Sequence, residues 1–344
     1  MLRTLEDFCR AVYPGLPPEQ FRKNIHQLAA YADNRKRRKS YQECWIPKKH
    51  GGARRILAPS SGLKQIQRTA AALLAKGDVS SCATAYRTGY SILENAVPHT
   101  GRELLVKLDI RDFFGSIRFP AVFHAIDNAL RRNPEVGRHC KAYPRGCRES
   151  RNYNSVLSFY LAQFCTLNGV LPQGAPSSPV LSNLVFYPLD CRIAAYCKKR
   201  SIQYTRYSDD MTFSGCFHPG ALIRFVRRLL AEYGFTLNEE KTVLAGRGCR
   251  KSVTGVTVNE TPQASRSYRR NLRQQIYYIR RFGLREHLLH LGRTEDAGQP
   301  ERYLRQLLGK VSFVLQICPE DSEFQHYRAY CLGLLRAHTG GNTP

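Results

Sequence analysis

The chain has 344 residues and a formal net charge of +26, from 53 basic and 27 acidic side chains. At this length it can fold as one large domain or as two to three subdomains, each with its own apolar core. The basic residues are spread along the chain, which excludes a disordered basic tail on a neutral body, and no apolar stretch approaches the roughly 20 residues that span a bilayer. A folded surface this basic favours a polyanionic partner, and nucleic acid is the first candidate.

The cysteine pattern bears on the cellular compartment. The chain contains twelve cysteines, and none of them form a Cys-x-x-Cys pair. This pattern favours reduced thiols over a disulfide framework. Because no bilayer-spanning stretch is present either, we expect a cytoplasmic protein with no membrane partner.

Local signals in the first half of the chain predict helices around a basic hairpin. Residues 4–34 predict short helices with Thr4 as a cap and a break at 15–18, and residues 41–59 predict a basic β-hairpin. After these come a helix at Leu63–Leu74, a buried strand at Leu104–Ile110, a helix at Phe119–Arg131 and a polar surface insertion at Asn133–Asn154.

The second half predicts a strand hairpin followed by a helical region. Ser178 and Pro179 are a typical cap and first-turn pair for a helix that runs towards Arg200. The remaining predicted elements are strands at 202–207 and 211–214, a helix at 217–233, strands at 235–237, 243–244 and 253–258, and helices from 265 to about 337. This order predicts an α+β fold with an antiparallel-sheet core and a helical C-terminal domain.

Three aspartates stand out chemically. Asp209 and Asp210 are adjacent in the predicted turn, where an exposed turn without function is the plainest interpretation. Asp109, however, ends a buried strand, where a charged group needs a partner. A metal shared with the turn supplies that partner, and three carboxylates on neighbouring strands can hold two Mg²⁺ ions about 4 Å apart. That arrangement is typical of nucleotidyl transfer.

Motifs around these aspartates resemble those of reverse transcriptases in order and spacing. The matching segments are Leu108–Phe114, Leu171–Pro179 and Tyr207–Asp210, together with the basic hairpin and Asn238–Thr242. The resemblance implies a right-hand polymerase architecture. Residues 1–40 would be a helical lead-in, 41–108 the fingers, 109–260 the palm with a fingers insertion at 115–170, and 261–344 the thumb with an RNA-recognition region.

The resemblance also assigns roles to single residues. It implies a two-metal site formed by Asp109, Ile110, Asp209 and Asp210. Lys48 and Arg54 resemble the residues that grip the triphosphate of a dNTP, with Arg55 as the alternative if the alignment shifts by one residue. Phe114 resembles the gate that excludes a 2′-hydroxyl, with core packing as the alternative. Gln173 and Gly174 resemble residues that support nucleotide and template, and Lys241 resembles the proton donor to pyrophosphate, with a surface lysine as the alternative.

Two further segments resemble signatures of retron reverse transcriptases. These are the Asn-Ala-x-x-His element from Asn95 to His99 and the tripeptide Val253-Thr254-Gly255. In that family the region beyond the tripeptide recognises the cognate RNA, which implies RNA contacts by Asn95, His99, Val253, Thr254, Gly255, Arg266, Arg269, Arg270 and Arg273. Alternatives are a structural role for His99 and thumb-helix packing for the tyrosines among these arginines.

A retron assignment implies specific partners and products. The implied partners are dNTPs, a structured non-coding RNA of the msr–msd type and an effector protein. The product would be cDNA primed from an RNA 2′-hydroxyl, which gives branched RNA–DNA, or msDNA, used in antiphage defence. Ser208 departs from the alanine commoner in the family. A group II intron-like or diversity-generating reverse transcriptase, or a catalytically silent RNA-binding scaffold, are the competing hypotheses.

Overall fold

The computed structural model of the chain describes residues 4–47, 51–132, 148–292 and 299–339. Helices and strands are mixed within these ranges, so the predicted α+β class is confirmed. No helix in the described ranges is both long and apolar enough to cross a membrane.

The first half of the chain contains the hairpin and the first central strand. Its elements are α1 (Leu5–Val12), α2 (Pro18–Ala30), α3 (Asn34–Arg38), β1 (Tyr41–Pro47), β2 (Ala53–Pro59), α4 (Ser61–Leu74), α5 (Ile92–Ala96), a 3-10 turn (Val97–His99), β3 (Leu104–Ile110), α6 (Phe113–Ser116), α7 (Phe119–Arg132) and α8 (Arg148–Cys165). Thr4 caps α1 with a reciprocal hydrogen bond to Asp7, as its position predicted.

The second half contains the strand hairpin and the C-terminal helices. Its elements are α9 (Ser178–Lys198), β4 (Gln203–Tyr207), β5 (Asp210–Gly215), α10 (Pro219–Glu232), β6 (Leu237–Ala245), β7 (Ser252–Val253), β8 (Val256–Thr257), β9 (Gln263–Ala264), α11 (Arg266–Phe282), α12 (Leu284–His290), α13 (Gln299–Ile317) and α14 (Ser322–Thr339).

Three local predictions need correction. Ser177, not Ser178, is the residue that precedes α9. The Ser178 hydroxyl does not cap the helix but donates to the Pro172 carbonyl at 2.7 Å. Of the strand predicted at 235–237 only Leu237 lies in a strand, and it belongs with residues 243–244 to the single strand β6 (Leu237–Ala245). The predicted insertion at 133–154 is helical from Arg148 onward, and its residues 133–147 lie outside the described residues.

The described residues group into two compact units. Unit 1 comprises Met1–Thr88, Val106–Thr212 and Phe217–Val243, and unit 2 comprises Gly89–Leu105, Phe213–Cys216 and Leu244–Pro344. The core of unit 2 contains Val253, Val256, Leu272, Val311 and Phe324, from β7, β8, α11, α13 and α14. The four-domain division implied by the family resemblance stays a prediction.

The central sheet positions the three aspartates. Its strand order is β4-β5-β3-β6, so β3 lies between the hairpin strand β5 and the strand β6. Asp109 is the second-last residue of β3 and Asp210 is the first residue of β5. The strand order therefore brings the end of β3 beside the turn between β4 and β5.

Candidate active site

The turn between β4 and β5 consists of Ser208 and Asp209, whereas Asp210, which was predicted to lie in the turn, is the first residue of β5. Ser208 adopts φ 62°, in the left-handed region that residues other than glycine rarely enter. The Ile110 backbone N–H donates to the Asp209 carbonyl at 3.2 Å. This bond fixes the turn against β3 immediately after Asp109.

The carboxyl groups of Asp209 and Asp210 both have raised pKa values. Burial raises the pKa of Asp209, and the charges of Asp210 and Asp109 raise it further. Burial also raises the pKa of Asp210, against the lowering effect of Lys107, and the Asp109 charge adds to the increase. The three groups therefore lie close enough to repel, which is the situation that a bound cation relieves.

Asp109 is held by two side chains from β6. Lys241 Nζ lies 3.0 Å from both Asp109 carboxylate oxygens, and Asn238 Nδ2 donates to Asp109 Oδ2 at 3.1 Å. The Asp109 side chain is 7% exposed, whereas that of Lys241 is 61% exposed. The sequence indicated Asn238 only as part of a motif. Its contact with Asp109 was not predicted, because the contact depends on the pairing of β6 beside β3.

The donor set suits a hard divalent cation. Carboxylate oxygens are the ligands that Mg²⁺ and Ca²⁺ prefer. Across the residues described, no three carboxylate, imidazole or thiol groups already converge as a metal site. Since the Lys241 ammonium pairs with Asp109 in this conformation, the residues fit a metal ion in chemistry and charge, and metal binding would replace that ammonium.

The β1–β2 hairpin separates its two arginines onto opposite faces. Arg54 pairs with Ile46 and shares a face with Ile56, whereas Arg55 pairs with Trp45 on the other face, because side chains alternate along a strand. Arg55 is held by an ion pair with Glu43. Ile56 packs against Gly174. Because Arg54 shares a face with Ile56, Arg54 is the better placed of the two arginines to contact a ligand beside Gly174. Lys48 lies outside the described residues.

The segment at Gln173 and Gly174 supports β2. The Leu57 N–H donates to the Gln173 carbonyl at 2.8 Å. Gly174 has φ +115°, and a Cβ there would lie 2.7 Å from Ile56 Cγ2 and 2.8 Å from the Leu57 carbonyl oxygen. Glycine is thus required for the close approach of the hairpin strand.

The two phenylalanines after Asp109 differ in environment. Phe113 is buried against Phe186 and Phe235, at ring-centroid distances of 5.8 and 6.0 Å. Phe114 is half-buried and contacts Phe113. Core packing is therefore the role of Phe113, which leaves the Phe114 ring accessible to a ligand.

The retron-like elements are interior parts of unit 2. Asn95, His99 and Val253 are fully buried, so the prediction that their side chains contact RNA is not supported by this structure. His99 Nδ1 lies 2.7 Å from Ser214 Oγ, and burial followed by the charge of Arg102 lowers the pKa of His99 to about 4. His99 is thus a neutral structural histidine, which was the alternative interpretation.

The Val-Thr-Gly tripeptide forms the turn of the β7–β8 hairpin. Val253 pairs with Val256, and the two turn residues Thr254 and Gly255 have φ 46° and 88°. Positive φ at both positions is the requirement of a type I′ turn. Thr254 Oγ1 also donates to the Ile92 carbonyl at 3.1 Å, so this tripeptide is bonded to the helix that carries Asn95.

The four arginines predicted to bind RNA divide into two pairs. Arg269 pairs with Asp321 at 2.6 Å and Arg273 pairs with Glu323 at 2.7 Å, so both tie α11 to the start of α14. Arg266 and Arg270 are exposed. Of the four, Arg266 and Arg270 are the ones positioned for a polyanion.

Comparison with known proteins shows the family of this chain. A family model described as reverse transcriptase (RNA-dependent DNA polymerase) matches residues 46–263, which is more than half of the chain. The chain therefore belongs to the reverse transcriptase family. Within that family it is 36% identical to the retron Mx65 reverse transcriptase of Myxococcus xanthus, over 84% of this chain and 64% of that protein.

Two other similarities are more limited. The chain is 31% identical to the retron Ec86 reverse transcriptase of Escherichia coli, over 66% of this chain and 65% of that protein. A solved telomerase structure from Candida albicans, in complex with a telomeric RNA fragment, matches with TM-score 0.46 and 11% identity over 87% of this chain and 61% of that one. The chain spans less than two thirds of the length of these curated relatives.

Proposed function

We propose that this protein is an RNA-directed DNA polymerase of the retron type, which copies a cognate structured non-coding RNA from its own 2′-hydroxyl. The observation that carries the polymerase activity is the strand order that gathers Asp109, Asp209 and Asp210, with Lys241 paired to Asp109. A surface role alone gives no reason to place three mutually repelling carboxylates together.

Two Mg²⁺ ions would be held by the carboxylates of Asp109, Asp209 and Asp210 and by the backbone at Ile110. When bound, they activate the attacking hydroxyl and stabilise the leaving pyrophosphate. Asp109 would be a ligand of the cation in place of its ion pair with Lys241. Because the Lys241 side chain is exposed, its ammonium could then donate a proton to the departing pyrophosphate.

The incoming dNTP would lie between the hairpin and the central sheet of unit 1. Arg54, with Lys48 as its companion in the family pattern, would pair with phosphate oxygens, a role suited to the guanidinium fork. Phe114 would pack against the sugar and exclude a 2′-hydroxyl. Gln173 and Gly174 support β2, which keeps Arg54 in register with this site.

Unit 2 would recognise the RNA through the exposed face of α11. Arg266 and Arg270 are exposed there, and Tyr277 is 60% exposed. Phosphate contacts together with aromatic stacking suit RNA stems and loops. The buried Asn95, His99 and Val253 would act indirectly, by fixing the core behind this face.

The biological setting follows from the retron-type relatives. The product would be branched RNA–DNA used in antiphage defence in the cytoplasm, with an effector protein as a further partner. Residues 133–147 are one candidate contact for RNA or an effector.

The test is to purify the protein with its copurifying RNA, add dNTPs and Mg²⁺, and treat the product with a debranching enzyme. The retron type predicts DNA joined 2′–5′ to the RNA, and its absence in Asp209→Ala. Extension only from an added 3′-hydroxyl primer would place the enzyme in another lineage, such as the group II intron type. No extension would favour the silent scaffold.

A further inference from the structure

Arg206 is a buried arginine to which the mechanism above gives no role. It lies in β4, three residues before Asp209, and its side chain and that of Asp190 on α9 are both 0% exposed. Removing two charges from water is costly, and such a pair is a weak source of stability compared with apolar residues of similar volume. The position of this pair therefore calls for an explanation other than stability.

The guanidinium of Arg206 joins α9 to the candidate catalytic turn. Its Nη2 lies 2.7 Å from Asp190 Oδ2 and its Nε donates to Asp190 Oδ1 at 3.0 Å. The same Nη2 is 3.1 Å from Asn183 Oδ1, and Nη1 donates to the Ser208 carbonyl at 2.9 Å. The guanidinium carbon also lies 4.5 Å from the Phe186 ring centroid. One rigid, planar group is thus fixed by a helix and holds the peptide that precedes Asp209.

The peptide that Arg206 holds is a strained one. Ser208 is buried with φ 62°, a conformation that a residue other than glycine keeps only when its surroundings impose it. Its hydroxyl lies 2.9 Å from the Tyr86 hydroxyl. The turn is therefore held on two sides, by Arg206 at the carbonyl and by Tyr86 at the side chain.

The other end of the network is equally fixed. The Tyr204 hydroxyl donates to Asp190 Oδ1 at 2.7 Å, and Asn183 Nδ2 donates to the Ala85 carbonyl at 2.9 Å. Because Asp190 and Asn183 both belong to α9, the guanidinium cannot shift without breaking several hydrogen bonds. Its hydrogen bond to the Ser208 carbonyl therefore holds the turn in one position.

We propose that Arg206, oriented by Asp190, is a positioning residue that sets the Ser208 carbonyl and so aims the Asp209 carboxylate for metal binding. The inference rests on the proposed function of the site and deepens it. Loss of the network would misplace a metal ligand while the fold and the nucleic-acid surface stay intact.

The test replaces the network with apolar groups. The triple variant Arg206→Met, Asp190→Leu, Tyr204→Phe leaves no unpaired charge or phenol in the core. The measurements are the melting temperature, the affinity for a poly(rA)–oligo(dT) duplex, kcat and KM for dTTP, and Mn²⁺ affinity from electron paramagnetic resonance. Arg192→Met with Glu232→Leu, which removes an exposed ion pair of unit 1, is the matched control.

We expect the triple variant to melt within a few degrees of the wild type and to bind the duplex equally well. Its kcat should fall at least tenfold with KM for dTTP within about twofold, and its Mn²⁺ affinity should fall at least threefold. A folded variant with kcat and Mn²⁺ affinity unchanged would overturn the proposal.

A second variant covers the case in which the triple variant does not fold. Arg206→Lys keeps the charge beside Asp190, but one ammonium cannot reproduce the planar fork that reaches Asp190 and Ser208 together. It should lose kcat and Mn²⁺ affinity in the same directions, and wild-type values would contradict the positioning role. If the wild type itself extends no primer, the proposed function fails, and Mn²⁺ affinity alone then decides the role of Arg206.

Discussion

Lys241 Nζ lies 3.0 Å from both carboxylate oxygens of Asp109, on the strand next to the one that carries that aspartate. The lysine side chain is exposed while that of the aspartate is buried, so only the lysine end of the ion pair faces solvent. This relationship links the metal-binding role proposed for Asp109 to the proton-donor role proposed for Lys241.

Replacement of Lys241 should separate these two roles. In Lys241→Ala, kcat should fall about 100-fold, the lower end of the range for loss of a general acid. The Mg²⁺ concentration for half-maximal rate should fall as well, because Asp109 no longer has a competing ammonium. Rates measured over a Mg²⁺ series check this, with Lys198→Ala, which alters an exposed lysine of α9, as a control. An increased Mg²⁺ requirement would contradict the exchange.

The two arginines of the hairpin should differ in their effect on nucleotide binding. Arg54→Ala should raise KM for dNTPs about tenfold or more, the loss expected for a charge-assisted phosphate contact. Arg55→Ala should change KM less than threefold, since Arg55 is paired with Glu43 on the opposite face. Steady-state kinetics on one template measure both KM values. A larger increase in KM for Arg55→Ala than for Arg54→Ala would assign the triphosphate contact to Arg55.

Substitution of Gly174 should disrupt the docking of β2. In Gly174→Ala the new Cβ meets Ile56 and the Leu57 carbonyl, in addition to strain at positive φ. We expect a loss of about 1–3 kcal/mol in the free energy of unfolding and a raised KM for dNTPs. Gly169→Ala is the matched control, because it has φ +78° with open space around the Cβ. Equal effects of the two substitutions would show that strain alone matters.

Burial of His99 should make stability depend on acid pH. Its pKa is about 4 in the folded state, below the ordinary value of about 6.5 for an unfolded chain. The unfolded state therefore binds more protons between these values, so stability is complete above pH 6.5 and declines as pH falls towards 4. At about 1.4 kcal/mol per pH unit, the loss is on the order of 3 kcal/mol.

Urea unfolding at several pH values checks this dependence. His99→Gln keeps a hydrogen-bonding side chain near Ser214 but has no titrating group. The free energy of unfolding of the wild type should fall relative to that of His99→Gln over the window from pH 6.5 to 4, and parallel curves would show that burial does not lower the pKa of His99 in the folded protein.

The sequence indicated the candidate metal ligands more clearly than the residues and strand pairings that hold them in place. Asp109 could be predicted because a charge at the end of an apolar strand is unusual, and Asp209 and Asp210 because a tight turn between two strands is a local signal. The place of Asp109 beside the turn followed only from the hypothesis of a shared metal, and the pairing of β6 beside β3 was not predicted, since pairing between distant strands leaves no local trace.

Residues whose roles depend on tertiary packing were missed or misassigned. Arg206 resembles any other arginine in a strand until α9 places Asp190 beside it. Asn95 and His99 were assigned RNA contacts through the family resemblance, but both side chains are buried in unit 2. Likewise, the choice between Arg54 and Arg55, which a one-residue shift of the alignment left open, depends on the hairpin register.

The most direct test of the account is metal-dependent DNA synthesis on an RNA template by the purified chain, compared with Asp209→Asn and with Asp78→Asn, which alters an exposed aspartate paired with Arg132. The account predicts dTTP incorporation on poly(rA)–oligo(dT) that requires Mg²⁺ or Mn²⁺, is abolished in Asp209→Asn and is unchanged in Asp78→Asn. Incorporation that persists in Asp209→Asn, or none in the wild type while the duplex is bound, would contradict the assignment of the three aspartates.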